Sequence, residues 1–270
     1  NTIGIITKPQ DITSQETARE LGAFLKEQDV SLVENEKDIE KNADLIIVVG
    51  GDGSILSTAR TYVDSNIPIL GINLGRLGFL ADVSVESMKT VISDILSGEY
   101  IKEERALLSC QVEREDNILS QHLAFNEVVV HRNETPRMIE FELFVDGDFV
   151  NKQRADGMIV TTPTGSTAYA LSSGGPIIHP SVNTICLVSI SPHTMSHRPF
   201  ILHDKSEVLI SLIDSDDKAT VSFDGQASFS ILLGDSLRVR QHDNFIHLIH
   251  PKGYDYFDII RSKLHWGHKV

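Results

Sequence analysis

The chain has 270 residues, of which 41% are hydrophobic and 23% charged, and its formal net charge is −14. This composition is typical of a soluble globular protein with one large domain or two ordinary ones. The acidic balance argues against a nucleic acid or an anionic membrane as the main partner, and no apolar run approaches the ~20 residues of a membrane span. The two cysteines, Cys110 and Cys186, lie in apolar segments and predict buried free thiols in a cytoplasmic protein.

Strands and helices alternate through the first part of the sequence. Thr13 and Glu16 have the spacing of a capping box, and Ser54 and Ser84 are expected to cap the next two helices. Gly98 is a plausible helix stop. Such alternation predicts βαβ units and a parallel sheet. The predicted strands cover 3–7, 44–49 and 68–73, and the predicted helices cover 14–27, 54–63 and the segment from Ser84 to Gly98.

Two glycine-rich turns follow two of these strands. The first is Gly50-Gly51-Asp52-Gly53, and the second runs from Gly71 to Phe79. Ligands bind at the carboxyl ends of parallel strands, and glycine lets a phosphate approach the backbone closely. A carboxylate at Asp52 would repel that phosphate unless it binds a metal or accepts a proton. The alternative is an ordinary strand–turn–helix junction. In either case a solvent-facing Asp52 is expected to contribute little to stability.

The second part of the sequence is mostly β. Alternating segments predict strands, and Asp146-Gly147 is the signal of a tight hairpin. A helix over 254–264 follows the last strand. The sequence therefore predicts an α/β domain with a Rossmann-like parallel sheet over 1–103, an all-β sandwich-like domain over 104–248, and a segment over 249–270 that packs back on the first domain. The predicted strands are 107–113, 122–131, 138–145, 157–162, 184–190, 207–213, 220–223, 236–240 and 245–249.

Residues 154–176 contain seven Ser and Thr residues, three glycines after the predicted strand, and Tyr169. Such hydroxyls are able to hold ribose, amide or phosphate groups, and the tyrosine ring is able to stack on a base. The alternative is a polar loop with a capped helix, which leaves Arg154 and Asp156 unexplained. Asn126 and Glu127 interrupt the apolar strand over 122–131. Their side chains are expected to face opposite sides, reaching either a cleft or solvent at a sheet edge.

Several common motifs are absent from the sequence. It contains no G-x-x-x-x-G-K-[ST] phosphate loop, no G-x-G-x-x-G dinucleotide fingerprint and no G-x-S-x-G elbow. His193 and His197 are four residues apart but lack the glutamate of a zinc protease. We interpret them as loop histidines rather than zinc ligands.

The remaining motifs together resemble those of bacterial NAD kinases over nearly the whole chain. Gly-Gly-Asp-Gly alone is weak evidence, because lipid kinases and phosphofructokinases resemble it. The Ser/Thr run combined with the Asn-Glu pair is much more specific. The motifs are Gly50-Gly51-Asp52-Gly53, Asn73 to Phe79, Asn126-Glu127, Arg154-Ala-Asp156-Gly157, Thr162 to Tyr169, Asp224-Gly225-Gln226 and His250-Pro251-Lys252.

The resemblance implies an active site between two domains and ATP-dependent phosphorylation of the adenosine 2′-hydroxyl of NAD, which gives NADP. It also implies a divalent cation such as Mg²⁺ with ATP, and a homodimer or homotetramer. Asp52 is then the catalytic carboxylate, acting as a base or through metal. Carried over by motif, the substrate-binding residues are Gly51, Gly53, Asn126, Glu127, Arg137, Arg154, Asp156, Thr164, Thr167, Ala168, Tyr169, Ser172 and Gln226.

Two alternatives stay open at the level of the sequence. One is another kinase with the Gly-Gly-Asp-Gly turn that acts on a lipid or a sugar phosphate, although we find no apolar or basic membrane-facing segment. The other is a sensor that binds NAD without chemistry. Such a sensor tolerates loss of the acid in the glycine turn, but Asp52 is present.

Overall fold

The computed structural model describes residues 1–8, 10–33, 35–75, 78–115, 117–133, 137–194, 196–215 and 218–266. The chain forms two compact units. One comprises residues 1–104 together with the described residues from 246 onward, and the other comprises residues 105–245. Within the described ranges, no helix combines the length and the apolar character needed to cross a membrane.

The elements are numbered in chain order. The strands are β1 Thr2–Thr7, β2 Ser31–Leu32, β3 Leu45–Val49, β4 Ile69–Asn73, β5 Val83–Ser84, β6 Tyr100–Arg105, β7 Leu108–Arg114, β8 Asn117–Ala124, β9 Glu127–Arg132, β10 Ile139–Val145, β11 Asp148–Ala155, β12 Gly157–Thr161, β13 Thr184–Ile190, β14 Phe200–His203, β15 Val208–Asp214, β16 Ala219–Phe223, β17 Ala227–Ile231, β18 Ser236–Gln241 and β19 Ile246–Pro251. The helices are α1 Ile12–Glu27, α2 Ile39–Asn42, α3 Asp52–Tyr62, α4 Met88–Leu96, α5 Tyr169–Ser172 and α6 Tyr256–Leu264, and single 3₁₀ turns cover Glu36–Asp38, Val63–Ser65 and Thr164–Thr167.

The first unit is built on a sheet with the strand order β2-β1-β3-β4-β19-β6, with β5 also paired to β4. The pairs β1–β2, β1–β3, β3–β4, β4–β5 and β4–β19 are parallel. All five residues of β3 are buried, as its continuous apolar run predicts for a parallel strand covered on both faces. The α/β class predicted for the first part of the chain is confirmed.

The second unit contains two antiparallel sheets, with the orders β11-β10-β15-β18-β7-β8 and β14-β13-β12-β9-β16-β17. Their inner faces share one apolar core, which includes Phe141 from the first sheet and Val130 and Phe223 from the second. Alternate residues of β10 are buried, as its pattern predicts. The predicted all-β sandwich is therefore confirmed. Cys110 and Cys186 are buried and free, also as predicted.

Three helix starts differ from the prediction. Helix α1 begins at Ile12, and the carboxylate of Asp11 caps it by accepting the N–H of Ser14 at 3.1 Å, so the capping box at Thr13 is wrong. Helix α3 begins at Asp52 rather than after Ser54. Ser84 lies in β5, and α4 begins only at Met88. The predicted stop at Gly98 is confirmed, because Gly98 has a φ of +88° and its N–H donates to Ile95.

The predicted strand over 122–131 is two strands, which is the correction with the largest consequence. Strand β8 ends at Ala124 in one sheet, and β9 begins at Glu127 in the other. Phe125 and Asn126 therefore form the corner at which the chain crosses the sandwich. The hairpin at Asp146-Gly147 is confirmed, since both residues have positive φ, +52° and +88°, as a type I′ turn requires.

Candidate active site

The carboxylate of Asp52 is held by three consecutive backbone N–H groups. Its Oδ2 accepts the N–H of Phe79 at 2.8 Å, and its Oδ1 accepts those of Leu80 and Ala81 at 3.1 Å each. Asp52 occupies the first turn of α3, directly after the buried strand β3 and the glycine pair. The expectation of a solvent-facing turn residue without a role in the fold is therefore wrong. Asp52 joins the two glycine-rich turns.

Gly78 makes this arrangement possible. A Cβ at position 78 would overlap the Asp52 carboxylate, so only glycine lets the second turn approach this closely. Asn73 braces the same turn, because its Oδ1 accepts the N–H of Gly75 at 2.9 Å. Arg76 and Leu77, which belong to the predicted second turn, lie outside the described residues. The two turns thus form one structure in which Asp52 has a fixed orientation.

A second carboxylate stabilises the corner between β8 and β9, which includes Phe125, Asn126 and the first residue of β9, Glu127. Asp224 accepts the N–H of Phe125 at 2.9 Å on Oδ2, and the N–H groups of Asn126 and Glu127 at 2.7 and 3.2 Å on Oδ1. Asp224 is buried and lies in the turn after β16. The sequence predicted Asn126 and Glu127 as site residues but missed Asp224 as their anchor. The family motif Asp224-Gly225-Gln226 was the available signal.

Glu127 lies in an environment that disfavours its charge. Its side chain is 6% exposed, and its Oε2 has no hydrogen-bond partner among the described residues. Burial, followed by the nearby negative charge of Asp224, raises the pKa of Glu127 to about 8, although the backbone N–H of Tyr169 donates to the carboxyl group. Glu127 is therefore mostly a neutral acid near pH 7, with an O–H to donate.

The pH dependence of stability is expected to report this proton. Between the unfolded pKa of about 4.3 and the folded value, the native state holds a proton that the unfolded state has lost. The contribution of Glu127 to the free energy of unfolding therefore falls as pH rises from about 4.3 to 8. Glu127→Gln, which is neutral at every pH, should remove that part of the slope. Denaturant unfolding of both proteins from pH 5 to 9 measures the difference, and parallel curves would contradict a buried, neutral Glu127.

Most hydroxyls of the Ser/Thr run build the shape of the site rather than face outward. Thr162 Oγ1 donates to the carbonyl of Phe125 at 2.8 Å, and Thr161 Oγ1 donates to that of Asn126 at 3.0 Å. Ser166 is fully buried, and its hydroxyl donates to Pro163 at 2.6 Å. These three hydroxyls therefore bond within the fold, and the ligand contacts predicted for other residues of the run stay predictions. These bonds tie the run to the Phe125–Asn126 corner.

The predicted binding residues of the run differ in exposure. Thr164 is buried, and its hydroxyl accepts from Arg105 Nη1 at 3.3 Å, so it faces the interior. Thr167 and Ala168 are half-buried, whereas Tyr169 and Ser172 are exposed. Tyr169 is 46% exposed. Among these residues, the exposed side chains therefore lie within the segment 167–172, whereas Thr164 faces the interior.

Arg154 and Asp156, which the sequence grouped together, have different partners. Asp156 Oδ1 accepts from Arg132 Nε at 2.6 Å, and the carbonyl of Asp156 accepts the backbone N–H of Arg132. Arg154 lies 4.0 Å from Glu140 across the β10–β11 pair. Sequence reasoning missed Arg132, since only the pairing of β9 with β12 brings it beside Asp156.

The last two predicted contacts lie on the surface. Arg137 is exposed just before β10. Gln226 is exposed in the turn between β16 and β17, where its N–H donates to Phe223 at 3.0 Å. Gln226 follows directly after the anchored Asp224 and Gly225, so the same turn that fixes the Asn126–Glu127 corner also presents the Gln226 amide.

The geometry and the motifs agree on a class of protein. A buried parallel strand leads to a carboxylate between two glycine turns, and a separate β unit contains a fixed corner beside an exposed aromatic segment. Together with the motifs, these features agree with the resemblance to a kinase of the Gly-Gly-Asp-Gly type acting on a nucleotide. Family models agree, since residues 31–100 match the ATP-NAD kinase N-terminal domain and residues 125–250 match the ATP-NAD kinase C-terminal domain.

The chain is also similar to individual proteins. The NAD kinase of Hydrogenovibrio crunogenus is 51% identical over 231 residues, which cover 85% of this chain and 79% of that protein. The NAD kinase of Thiobacillus denitrificans is 41% identical over 286 aligned residues, covering 100% and 98%. The chain belongs to the ATP-NAD kinase family.

Solved structures show the same fold. Yeast NADH kinase complexed with NADH has a TM-score of 0.89 at 27% identity and covers 100% of this chain and 89% of the yeast chain. An NAD kinase from Archaeoglobus fulgidus in complex with ATP has a TM-score of 0.79 at 27% identity and covers 98% and 99%.

Proposed function

We infer that this protein is an NAD kinase that transfers the γ-phosphoryl group of ATP to the adenosine 2′-hydroxyl of NAD, giving NADP. Membership of the family supports this inference, together with one observation on the chain itself. Asp52 stands at the end of β3 with its carboxylate oriented by Phe79, Leu80 and Ala81. A ribose hydroxyl is a poor nucleophile, and a fixed carboxylate within hydrogen-bond reach accepts its proton as the new bond to phosphorus forms.

The charges of the chain set a condition for this reaction. The formal net charge is −14, and both substrates are anionic. Among the described residues, no three His, Cys, Asp or Glu side chains cluster as a metal cage. We therefore expect Mg²⁺ to arrive with ATP. Phosphate oxygens and water would supply most of its ligands, and Asp52 would offer a protein carboxylate. When bound, the cation neutralises charge on the phosphates. A neutral Glu127 adds no further repulsion.

We assign the dinucleotide to the second unit, with adenine against Tyr169. Tyr169 is the exposed aromatic residue of the segment 167–172, and its backbone N–H donates to Glu127. Stacking on the ring and hydrogen bonds from the Asn126–Glu127 corner then act on the same end of NAD. Arg137, Arg154, Asp156 and Gln226 supply further polar contacts in this proposal.

Truncation of Tyr169 tests the stacking contact. Tyr169→Ala should weaken NAD binding by about 1–3 kcal/mol, the range found for bases stacked on aromatic side chains. Tyr169→Phe keeps the ring and should bind almost as tightly as the wild type. Calorimetric titration with NAD measures both. Equal affinity of the alanine variant and the wild type would exclude Tyr169 from the site.

Substitution of Asp156 tests the proposed polar contacts with NAD. Asp156→Ala should raise the KM for NAD at least ~10-fold, since a charged hydrogen bond contributes about 1.5–3 kcal/mol, and should leave the KM for ATP nearly unchanged. Arg132→Gln is the matched variant, because it breaks the same ion pair from the other side. If the KM for NAD rises in Asp156→Ala but not in Arg132→Gln, the contact with NAD belongs to Asp156 itself. Equal rises in the two Michaelis constants would contradict the assignment.

We also propose that the two substrates bind to different parts of the chain. ATP binds to the α/β domain over 1–103, and the dinucleotide binds to the β-sandwich domain over 104–248. The segment over 249–270 packs back on the first domain. A homodimer or homotetramer in the cytoplasm, without nucleic acid or membrane as partner, completes the proposal.

The deciding experiment is an assay of NADP formation. The purified chain is incubated with NAD, ATP and Mg²⁺, and NADP is measured with an NADP-specific dehydrogenase. Turnover above that of Asp52→Asn supports the proposal. Tight NAD binding without turnover would favour a sensor, and phosphorylation of a sugar phosphate or lipid in place of NAD would favour the other kinase classes.

A further inference from the structure

A buried histidine of the first unit contacts the residue that follows the Asp52-binding segment 79–81. His250, near the end of β19, is 1% exposed. Its Nδ1 lies 2.8 Å from Asp82 Oδ2, and its Nε2 lies 3.2 Å from Glu103 Oε2. Its ring stacks on Tyr254, with ring centroids 3.8 Å apart. The carboxylate oxygen Oδ2 of Asp82 accepts this hydrogen bond from Nδ1.

The sheet topology shows why this contact matters. Strand β3 pairs with β4 through Ile72, so β5, which also pairs at Ile72, occupies the other edge of β4. Strand β19 occupies that same edge lower down, at Ile69 and Leu70. The hydrogen bond from His250 to Asp82 therefore joins the end of β19 to the start of β5, where the two strands follow each other along this edge of β4. Within the described residues β5 pairs with β4 and not with β19, so this side-chain bond joins the two strands without a backbone pairing.

Asp82 adjoins the segment that orients Asp52. Phe79, Leu80 and Ala81 donate their N–H groups to the Asp52 carboxylate, and Asp82 is the next residue. On its other side lies the two-residue strand β5. A side-chain contact with a fully buried ring is therefore a strong restraint on the position of this short segment.

We propose that His250 is a positioning residue for Asp52: through Asp82 it fixes the loop 79–81, whose N–H groups aim the carboxylate at the reacting hydroxyl. The catalytic part of this statement rests on the proposed NAD kinase activity. The positional part is independent of the reaction, because it concerns only the described contacts within the first unit.

Two substitutions separate the two contacts of the ring. The side-chain amide of Asn reaches about as far as Nδ1 and so keeps a donor for Asp82, whereas that of Gln reaches towards Nε2 and Glu103. His250→Gln should lower kcat by about 10²-fold, the loss that a misplacement of ~1 Å can cause, with both Michaelis constants nearly unchanged. His250→Asn should show a much smaller loss of kcat, although both variants lose the ring stacking on Tyr254.

His247 offers a matched control on the same strand. Its side chain is 11% exposed and its Nδ1 lies 3.9 Å from Glu104. It makes no contact with the 79–82 segment among the interactions described. His247→Gln should leave kcat unchanged, whatever it does to the melting temperature. Thermal melts of all variants then show whether kcat follows the Asp82 contact or merely follows stability.

Hydrogen exchange gives a readout that does not depend on activity. The amide hydrogens of residues 79–81 should lose protection in His250→Gln and keep it in His250→Asn. Equal kcat and equal protection in the two His250 variants would overturn the proposal. A loss of kcat that simply follows the melting temperature in all variants, including His247→Gln, would overturn it as well. If neither His250 variant folds, Asp82→Ala replaces them and should show the same selective loss of kcat and of protection at residues 79–81. Wild-type kcat and wild-type protection in Asp82→Ala would overturn the proposal. A wild type that forms no NADP refutes the proposed function, while the exchange data still decide the positional claim.

Discussion

Replacing Asp52 by Asn is expected to lower kcat by about 10²–10⁴, the usual contribution of a positioned general base. The substitution preserves size and shape but removes the charge and the ability to accept a proton. The KM for NAD should change little, because the assigned dinucleotide contacts belong to the second unit. A larger fall in kcat would indicate that the carboxylate also holds the cation that accompanies ATP.

The same substitution should also destabilise the protein. Both oxygens of Asp52 accept backbone N–H groups, Oδ2 from Phe79 and Oδ1 from Leu80 and Ala81. An asparagine must direct its NH₂ group at one or two of these backbone donors, so at least one part-buried hydrogen bond is lost and two donors face each other. A cost of about 1–3 kcal/mol follows. This expected loss differs from the unchanged stability that the sequence predicts for Asp52→Asn.

Steady-state kinetics at a temperature well below the melting transition separate the two effects. Asp64→Asn, an exposed acid just beyond α3, is the control and should retain activity and stability. Near-full activity in Asp52→Asn would reduce Asp52 to its structural role. A variant that is folded by circular dichroism, binds NAD and fails to turn over would establish the catalytic one.

Replacing Asp224 by Ala should have the largest effect on stability, a loss of about 3–5 kcal/mol in the free energy of unfolding. Three N–H groups, those of Phe125, Asn126 and Glu127, lose their acceptor together. Phe125 is fully buried, so solvent cannot replace the carboxylate there without disturbing the core. The KM for NAD should rise as well, because the corner that carries Asn126 and Glu127 is no longer held.

Asp224→Asn distinguishes the geometric from the electrostatic role of this acid. It keeps one acceptor oxygen and should lose less stability than the alanine variant. Removing the negative charge should also lower the pKa of Glu127 from about 8, because Asp224 contributes to that elevation. Urea unfolding measures the first effect and the pH dependence of NAD binding the second. Asp243→Ala, whose side chain is 81% exposed, is the control. Equal stability of Asp224→Ala and the wild type would contradict the anchoring role.

Asp52 and Asp224 share one structural principle. Each carboxylate accepts three consecutive backbone N–H groups from a segment far away in sequence, 27 to 29 residues for Asp52 and 97 to 99 for Asp224. Consecutive N–H groups converge on one point only where the backbone turns sharply. The two acids thus stabilise the two irregular segments of chain on which the proposed chemistry depends.

The sequence by itself determined the features that depend on local chemistry. The apolar run Leu45–Val49 specified a doubly covered strand, and alternation along Ile139–Val145 specified a sheet with one buried face, because side-chain period follows directly from backbone geometry. Positive φ at Gly147 and Gly98 follows from the absence of a Cβ. The class of each half and the family could therefore be predicted.

Only the tertiary structure decided what each polar side chain does. The break at Phe125–Asn126 lies inside an apolar run, and it appears only when Asp224 arrives from a distant turn to satisfy the freed N–H groups. Arg132 meets Asp156 through the pairing of β9 with β12, and His250 meets Asp82 through the sharing of one edge of β4. Hydrogen bonds between side chains on distant strands follow no sequence period, so the sequence contains no local pattern that predicts these partners.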